Sequence, residues 1–424
     1  MNRNSKKSVF LITNGCPENK IDMAMIQNFF KKNNWNIVDN YFNSDMIVFN
    51  ACGLTQFHER QSVRIINTLK THKPSGANLI ICGCLPKINE SGIKLNPEDT
   101  ILYGESENCK FNEIIQAEQK IEEVTANVLY PYRILKRNPA KSKIYSNLLD
   151  HLFHVDSEFR GKIGRILWSP LLFYDQWLNA RINLFHKKKP TYFIKIATGC
   201  LNACTYCAVK KSRGNLKSKS LEKVLEEFRS GLQQGYENFS LLGTDLGPYG
   251  KDIGTNLAVL LQEMIRENGN YKIRLRNTEP RWLMKIGSEM IEIFKSKKIP
   301  FVGIPIESGN NEILNKMKRG YKIEDVKEFI KELNRKFPFI LIRTQLMTGF
   351  PGETLEQFYD TYNLIDELFF DYVEVYPFSP RPNTLAAEMQ DQLLVKERVR
   401  RRNKLWLKAL LKNTPQKLRK IYNE

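Results

Sequence analysis

The sequence predicts an α/β protein: an open parallel sheet at the N-terminus, then a partial barrel of six β/α units, then a basic C-terminal helix. Three observations predict it. From Val9 onward, short apolar runs alternate with stretches of helical period. The runs are continuous rather than alternating, as in parallel strands covered on both faces. A second series of the same kind opens at Tyr192, after a long segment that follows neither pattern.

The first series reads VFLIT, helix-like DMAMIQNFFKKN, MIVFN, helix-like ERQSVRIINTLKTH and NLIIC, and defines a domain over residues 1–118. Cys16, Cys52 and Cys84 each fall just beyond the C-terminal end of one of these runs. That edge is where open α/β sheets bind ligands, so the three thiols could converge there; the alternative is that they pack in the core. Residues 119–190 form a basic, aromatic linker in which Trp168, Phe173, Tyr174, Trp177 and Phe185 mix with Lys and Arg. A helix docked on the barrel, a nucleic-acid surface and an interfacial membrane segment all fit that mixture.

The barrel, residues 191–390, takes its six strands from YFIKIAT, NFSLLG, YKIRLR, PFVGIPI, FILIRTQLM and DYVEVYPF, with helices such as LEKVLEEFRSGLQQG between them. Chemistry in such barrels sits at the C-terminal strand ends. Residues 391–424 read as a basic helical tail, LLVKERVRRRNKLWLKALLK, with a solvated helix as its plain account.

Composition bounds the function classes. A chain of 424 residues, 42% apolar and 26% charged, buries large cores in two or three domains and is not disordered. No apolar run reaches the roughly 20 residues a bilayer span needs, and MNRNSKKSVFLITNG is too polar for a signal peptide. A cytoplasmic location is expected, where eight cysteines serve as metal ligands, catalytic thiols or packing groups rather than disulfides. The net charge of +19 is uneven: residues 131–190 carry +8 and residues 392–424 carry +9, leaving +2 for the other 331.

The strongest motif is GCLNACTYCAV, with Cys200, Cys204 and Cys207 just after the first barrel strand. A C-x3-C-x2-C loop lets three thiolates each take one corner of a cubane cluster and leaves the fourth iron open to a small chelating molecule. Zinc prefers four ligands in paired units, and no fourth follows here. This loop resembles that of the radical S-adenosylmethionine (SAM) superfamily. The resemblance implies a [4Fe-4S] cluster on Cys200, Cys204 and Cys207 whose free iron binds SAM. Reductive cleavage of SAM then gives a 5′-deoxyadenosyl radical that takes hydrogen from an unactivated carbon.

Further segments narrow the family. SRGNLKSKS, LLGTDLGPYG, PIESGNNEILNKMKRGY, GFPGETLEQF and YPFSPRPNTLAAEM, with TNGCPENKID, NACGLTQ and CGCLPK before them, look like the successive signatures of the methylthiotransferases. They cover residues 8–118 and 191–390. The resemblance implies a second [4Fe-4S] cluster on Cys16, Cys52 and Cys84, two SAM per turnover, and insertion of a methylthio group at a C–H carbon. It also implies a low-potential electron donor such as flavodoxin or ferredoxin. Cys82, inside an apolar run, reads as core, and Cys109 has no assigned role.

For SAM contacts the resemblance points to Gly243, Thr244 and Asp245 after the second strand, Arg276 after the third, and Glu307 and Ser308 after the fourth. Gly349, Pro351, Gly352 and Glu353 form either a structural turn or a further contact. Two positions depart from the family: Glu307 stands for the common Gln, and Gln345 for the common Asp. Only 35 residues, helical in pattern, follow Met389, so the RNA-binding β-barrel usual at the family's C-terminus is expected to be missing. Family substrates are tRNA adenosines or a ribosomal-protein aspartate, and Lys and Arg segments suit either RNA or an acidic peptide. A monomer is expected. A non-catalytic iron–sulfur scaffold is the reading from another class, and a cobalamin-dependent methylation a third; two cysteine triads argue against both.

Overall fold

The computed structural model describes residues 6–103, 107–131 and 190–422, with side chains described as far as residue 413. Residues 132–189 lie outside it, and with them most of the basic linker and the docked-helix reading of its aromatics. The chain divides into two compact units.

The first unit is a five-stranded parallel sheet built from β1 (Ser8–Thr13), β2 (Asn36–Val38), β3 (Met46–Ala51), β4 (Asn78–Gly83) and β5 (Thr100–Ile101), in the order β2-β1-β3-β4-β5. Strands β1, β3 and β4 are the three apolar runs, and alternate residues feed two cores. Val9 and Leu11 join Phe29, Phe30 and Phe111 on one face, while Phe10 and Ile12 join Ile66 and Leu69 on the other. This two-sided burial is why the runs show no polar alternation. Strands β2 and β5 are short edges with no apolar run to announce them.

The unit runs past residue 118, where the sequence pattern placed its end. Ile121, Val124 and Tyr130 are buried in its core, and the Tyr130 hydroxyl donates to the Leu11 carbonyl at 2.8 Å. It also takes in two distant pieces of chain, Ala208–Gly214 and Arg381–Asn383.

The second unit holds a short antiparallel pair, β7 (Ala197–Thr198) and β8 (Lys217–Ser218), and a six-stranded parallel sheet. The sheet comprises β6 (Thr191–Lys195), β9 (Asn238–Leu242), β10 (Lys272–Leu275), β11 (Phe301–Gly303), β12 (Leu341–Thr348) and β13 (Tyr372–Pro377). Consecutive strands lie side by side, and β6 and β13 remain edges, which gives the open six-unit architecture.

The C-terminal helix Val395–Tyr422 is not the solvated helix its charge pattern suggested. It packs on β12, β13 and the helix Leu355–Glu367, burying Leu405, Trp406, Ala409 and Leu410 in the main core. Two of its arginines turn inward as well. Arg398 donates to the Phe378 carbonyl at 3.1 Å, and Arg401 pairs with Glu353 at 2.8 Å. Among the described residues, no helix is long and apolar enough to cross a membrane.

Candidate functional site

In the first unit, the three thiols converge as the strand ends predict. β1 runs through Asn14 and Gly15 into Cys16, which sits at the N-cap of the helix Pro17–Lys32. Gly15 is required there, because a Cβ would come within 2.3 Å of the Asn19 Cβ. Asn19, one turn into the helix and fully buried, brings its amide oxygen to 3.8 Å from the Cys16 Sγ and 3.6 Å from the Cys84 Sγ. Its Nδ2 donates to Asn50 at 2.8 Å, near the end of β3.

Cys52 follows β3, and its N–H donates to the Asn14 side chain at 3.0 Å. Ser62 donates to the Cys52 carbonyl at 2.8 Å and accepts from Asn14 at 2.9 Å, so Asn14 and Ser62 fix the turn. Cys84 follows β4 across Gly83, which has φ +89° and would drive a Cβ to 2.3 Å from the Asn50 oxygen. Only glycine allows this left-handed step at so close an approach.

Cys52 and Cys84 are buried, and Cys16 is exposed. Desolvation pushes the Cys52 thiol up, and the charges of Cys84 and Cys16 push it further, while Arg213 pulls it back. Cys16 and Cys52, whose ionisation the charge of Cys84 opposes, would be stabilised as thiolates if metal took their protons' place. Among the described residues, no three such side chains are drawn in closely enough to enclose a single ion. Cys16 and Cys84 stand on one amide oxygen, and a cubane cluster, wider than an ion, would be bound by thiols at separate corners. Beside them is a cavity of about 10 Å³, the space of one water, lined in part by Cys82, Cys84, Asp22 and Arg213. Cys82 is 1% exposed and belongs to the core, as its apolar run indicated. Cys109 is exposed ahead of the helix Lys110–Ile115.

In the second unit, the loop from Cys200 to Cys207 is fixed by Asn202, a residue that spacing alone does not mark. Its Nδ2 donates to Asp245 at 2.7 Å, and its oxygen accepts from Arg281 and, at 2.8 Å, from the Trp282 indole. The Thr205 N–H and hydroxyl donate to the Met317 and Lys316 carbonyls at 3.1 and 2.9 Å. The Cys200 Sγ accepts from the Asn202 N–H at 3.4 Å, and the thiol is pushed up to about 12 by desolvation and then by Asp245. Arg319, 4% exposed, sets its guanidinium 3.4 Å from the Cys204 Sγ. A guanidinium so placed makes a charge-assisted hydrogen bond to the cysteine sulfur possible.

The predicted SAM residues fall at neighbouring strand ends but divide by what they do. Gly243 and Thr244 follow β9, and Arg276 follows β10. Asp245 is committed to Asn202 and to the N–H groups of Gly247 and Glu279, at 3.0 and 3.1 Å. Glu307 is buried with φ +72°, a conformation costing of order 1 kcal/mol or more in a non-glycine residue. Ser308 is occupied with Thr361 at 3.2 Å and with the Asn310 N–H, so its hydroxyl braces a turn. The Gly349–Glu353 segment is likewise a brace: Glu353 accepts from the Gly349 N–H at 2.8 Å and pairs with Arg401.

Glu279 went unmarked in the sequence and is the most telling group here. It is 2% exposed, and neither carboxylate oxygen accepts a hydrogen bond among the described residues. Arg281 and Arg319 stand 3.5 and 3.9 Å away. Desolvation raises this carboxyl to about 7 against the pull of both arginines. A buried carboxylate flanked by two arginines at ion-pair distance, yet short of a well-formed hydrogen bond, can accept one from a ligand.

The two sites define the class: a parallel α/β protein with one cysteine triad beyond the strand ends of its first sheet and another in the loop after the first strand of its second. A model of the Radical SAM superfamily matches residues 194–365, and one of the uncharacterized protein family UPF0004 matches residues 8–104. The chain is 33% identical over 401 residues to the "Probable threonylcarbamoyladenosine tRNA methylthiotransferase" of Pyrococcus horikoshii, spanning 92% of this chain and 82% of the relative. It is 28% identical over 389 residues to the "Ribosomal protein uS12 methylthiotransferase RimO" of Protochlamydia amoebophila, spanning 90% and 72%. In fold it is similar to the radical SAM methyltransferase TsrM of Kitasatospora setae, with a TM-score of 0.56 at 14% identity over 90% of this chain and 75% of that one. The chain belongs to the radical SAM methylthiotransferase family and is an enzyme of that kind.

Proposed function

We propose that the enzyme carries two [4Fe-4S] clusters and inserts a methylthio group at a C–H carbon of a tRNA nucleoside, using two SAM per turnover. Cys200, Cys204 and Cys207 hold the cluster that meets SAM, and Cys16, Cys52 and Cys84 hold the auxiliary one. The observation that supports the second cluster is the placing of Cys16 and Cys84 against one buried amide oxygen, with Cys52 close enough to feel both charges. The tRNA reading rests on the name of the more similar relative.

When bound, the clusters and SAM supply the one-electron chemistry, the sulfur and the methyl group. The chain holds, orients and dries. Asn202 and Thr205 keep the Cys200–Cys207 loop in one conformation, and Arg319 sets positive charge beside Cys204. Glu279, flanked by Arg281 and Arg319, offers a carboxylate oxygen to a hydrogen-bond donor of the ligand. Gly243, Thr244, Asp245, Arg276 and Glu307 rim the same strand ends, while Ser308 supports the turn behind them. A low-potential donor such as flavodoxin or ferredoxin delivers electrons, and the working unit is a monomer.

Anaerobically reconstituted protein is expected to hold about eight irons and eight sulfides. Cys200→Ala abolishes SAM cleavage, whereas Cys16→Ala still releases 5′-deoxyadenosine but makes no thiomethylated product. Four irons in the parent protein, or full product formation by both variants, sinks the two-cluster assignment. Mass spectrometry of nucleosides and ribosomal proteins from a deletion strain and its parent identifies the substrate. A methylthio mass missing from the proteins and retained on tRNA replaces the tRNA reading with a protein one.

A further inference from the structure

Arg213 joins positive charge to the auxiliary thiols through a continuous set of contacts within the first unit. It lies six residues beyond Cys207 in sequence, yet its short helix, Val209–Arg213, is part of the first unit. Its side chain is only 5% exposed. The Nη2 donates to the Asn19 oxygen at 2.6 Å and to Asp22 at 2.9 Å, and the Nε faces Glu18 at 3.6 Å. The Asn19 oxygen that receives it is the same atom that stands against Cys16 and Cys84.

We infer that Arg213 is a positioning residue for the auxiliary cluster: it holds the Asn19 oxygen by its own hydrogen bond once the thiols give up their protons, and its buried charge raises the cluster's reduction potential. The inference rests on the two-cluster reading above. Without Arg213, a carbonyl oxygen and the carboxylates of Glu18 and Asp22 would face a cluster held by three thiolates, all of one electrical sign. A guanidinium held one amide away favours the state with the extra electron, because net charge and hydrogen bonds around the sulfurs set cluster potentials. It also makes the anionic site cheaper to assemble. Glu18 and Asp22 in turn hold the guanidinium in place, and Asp22 lines the small cavity beside Cys84 together with Arg213.

The test is a redox titration of the reconstituted full-length protein followed by electron paramagnetic resonance. The auxiliary signal is the one that Cys16→Ala removes. Arg213→Gln is expected to lower its midpoint potential and to weaken retention of the auxiliary irons against a chelator about 10- to 100-fold, leaving the other cluster's signal unmoved. Arg213→Lys keeps the charge and loses the fork, so it retains the potential better than it retains the irons. Asp22→Asn removes a nearby negative charge and is expected to raise the potential; it decides the matter if Arg213→Gln does not fold. An auxiliary potential unmoved by both substitutions, or lowered by Asp22→Asn, overturns the inference. A parent protein with no signal that Cys16→Ala removes defeats the two-cluster reading itself, a result visible before any Arg213 variant is made.

Discussion

Glu279 is the residue at which burial and charge are least reconciled. Its carboxyl is lifted to about 7 by desolvation, although Arg319 and Arg281 oppose the shift. A folded-state value above the ordinary carboxyl range of about 4.3 means that the fold binds a proton the unfolded chain has released. The stability it contributes is complete below about pH 4.3 and is lost as pH rises through about 7, a loss of up to about 4 kcal/mol. Glu279→Gln is expected to flatten thermal unfolding of the SAM-free protein between pH 5 and 8; an unchanged slope would show that the carboxyl is ionised throughout. No spacing rule marks this residue. Cys200, Cys204 and Cys207 were legible as a motif because three cysteines in one loop leave a short-range pattern. Asn202, Glu279, Arg319 and Arg213 act through contacts between distant segments, and nothing local in the chain records them.

Among the elements, the C-terminal helix shows how far charge pattern can mislead. Its arginines read as a solvated face, but Arg401 reaches the fully buried Glu353 and bonds the Glu353 and Thr354 carbonyls at 2.8 and 3.0 Å. Arg401→Ala strands a buried carboxylate and is expected to cost about 3–5 kcal/mol in denaturant unfolding. Replacing both partners, Arg401→Met with Glu353→Met, should cost far less, since burial already pushes the Glu353 carboxyl up. Equal losses in the single and double variants would show that the pair is not what holds the helix. The helix at Leu355 starts on a local pattern, Thr354 and Gln357 capping each other's N–H groups. The central strands were legible because they are buried on both faces; β2 and β5 were not, because edge strands of two or three residues bury too little to leave a run.

At the scale of the whole molecule, the net charge of +19 takes on a different distribution once the contacts are known. Lys408 meets Asp366 at 2.5 Å and Lys404 stacks on Tyr359 at 4.6 Å, so a good part of the tail's charge is engaged within the second unit. The other concentration, residues 131–190, remains the stronger proposal for contact with substrate phosphates. Replacing Arg133, Lys136, Arg137, Lys141 and Lys143 with Gln is expected to weaken tRNA binding. For every phosphate no longer neutralised, the slope of log affinity on log salt should become shallower by about 0.7–0.9. SAM cleavage should be unchanged, and a salt slope equal to the parent's would remove this segment from the binding surface.

The first unit is also completed late in synthesis. Arg213 is 194 residues from the Asn19 it holds, and Arg381, which pairs with Glu59, is 322 residues away. At about 5–20 residues per second, Arg213 emerges roughly 10–40 s after the helix that bears Asn19. Until then, Cys16, Cys52 and Cys84 belong to a nascent sheet that lacks its guanidinium. For the proposed auxiliary cluster this sets a temporal order built into the chain: the contacts around those thiols are complete only after the ribosome has passed the second cysteine triad.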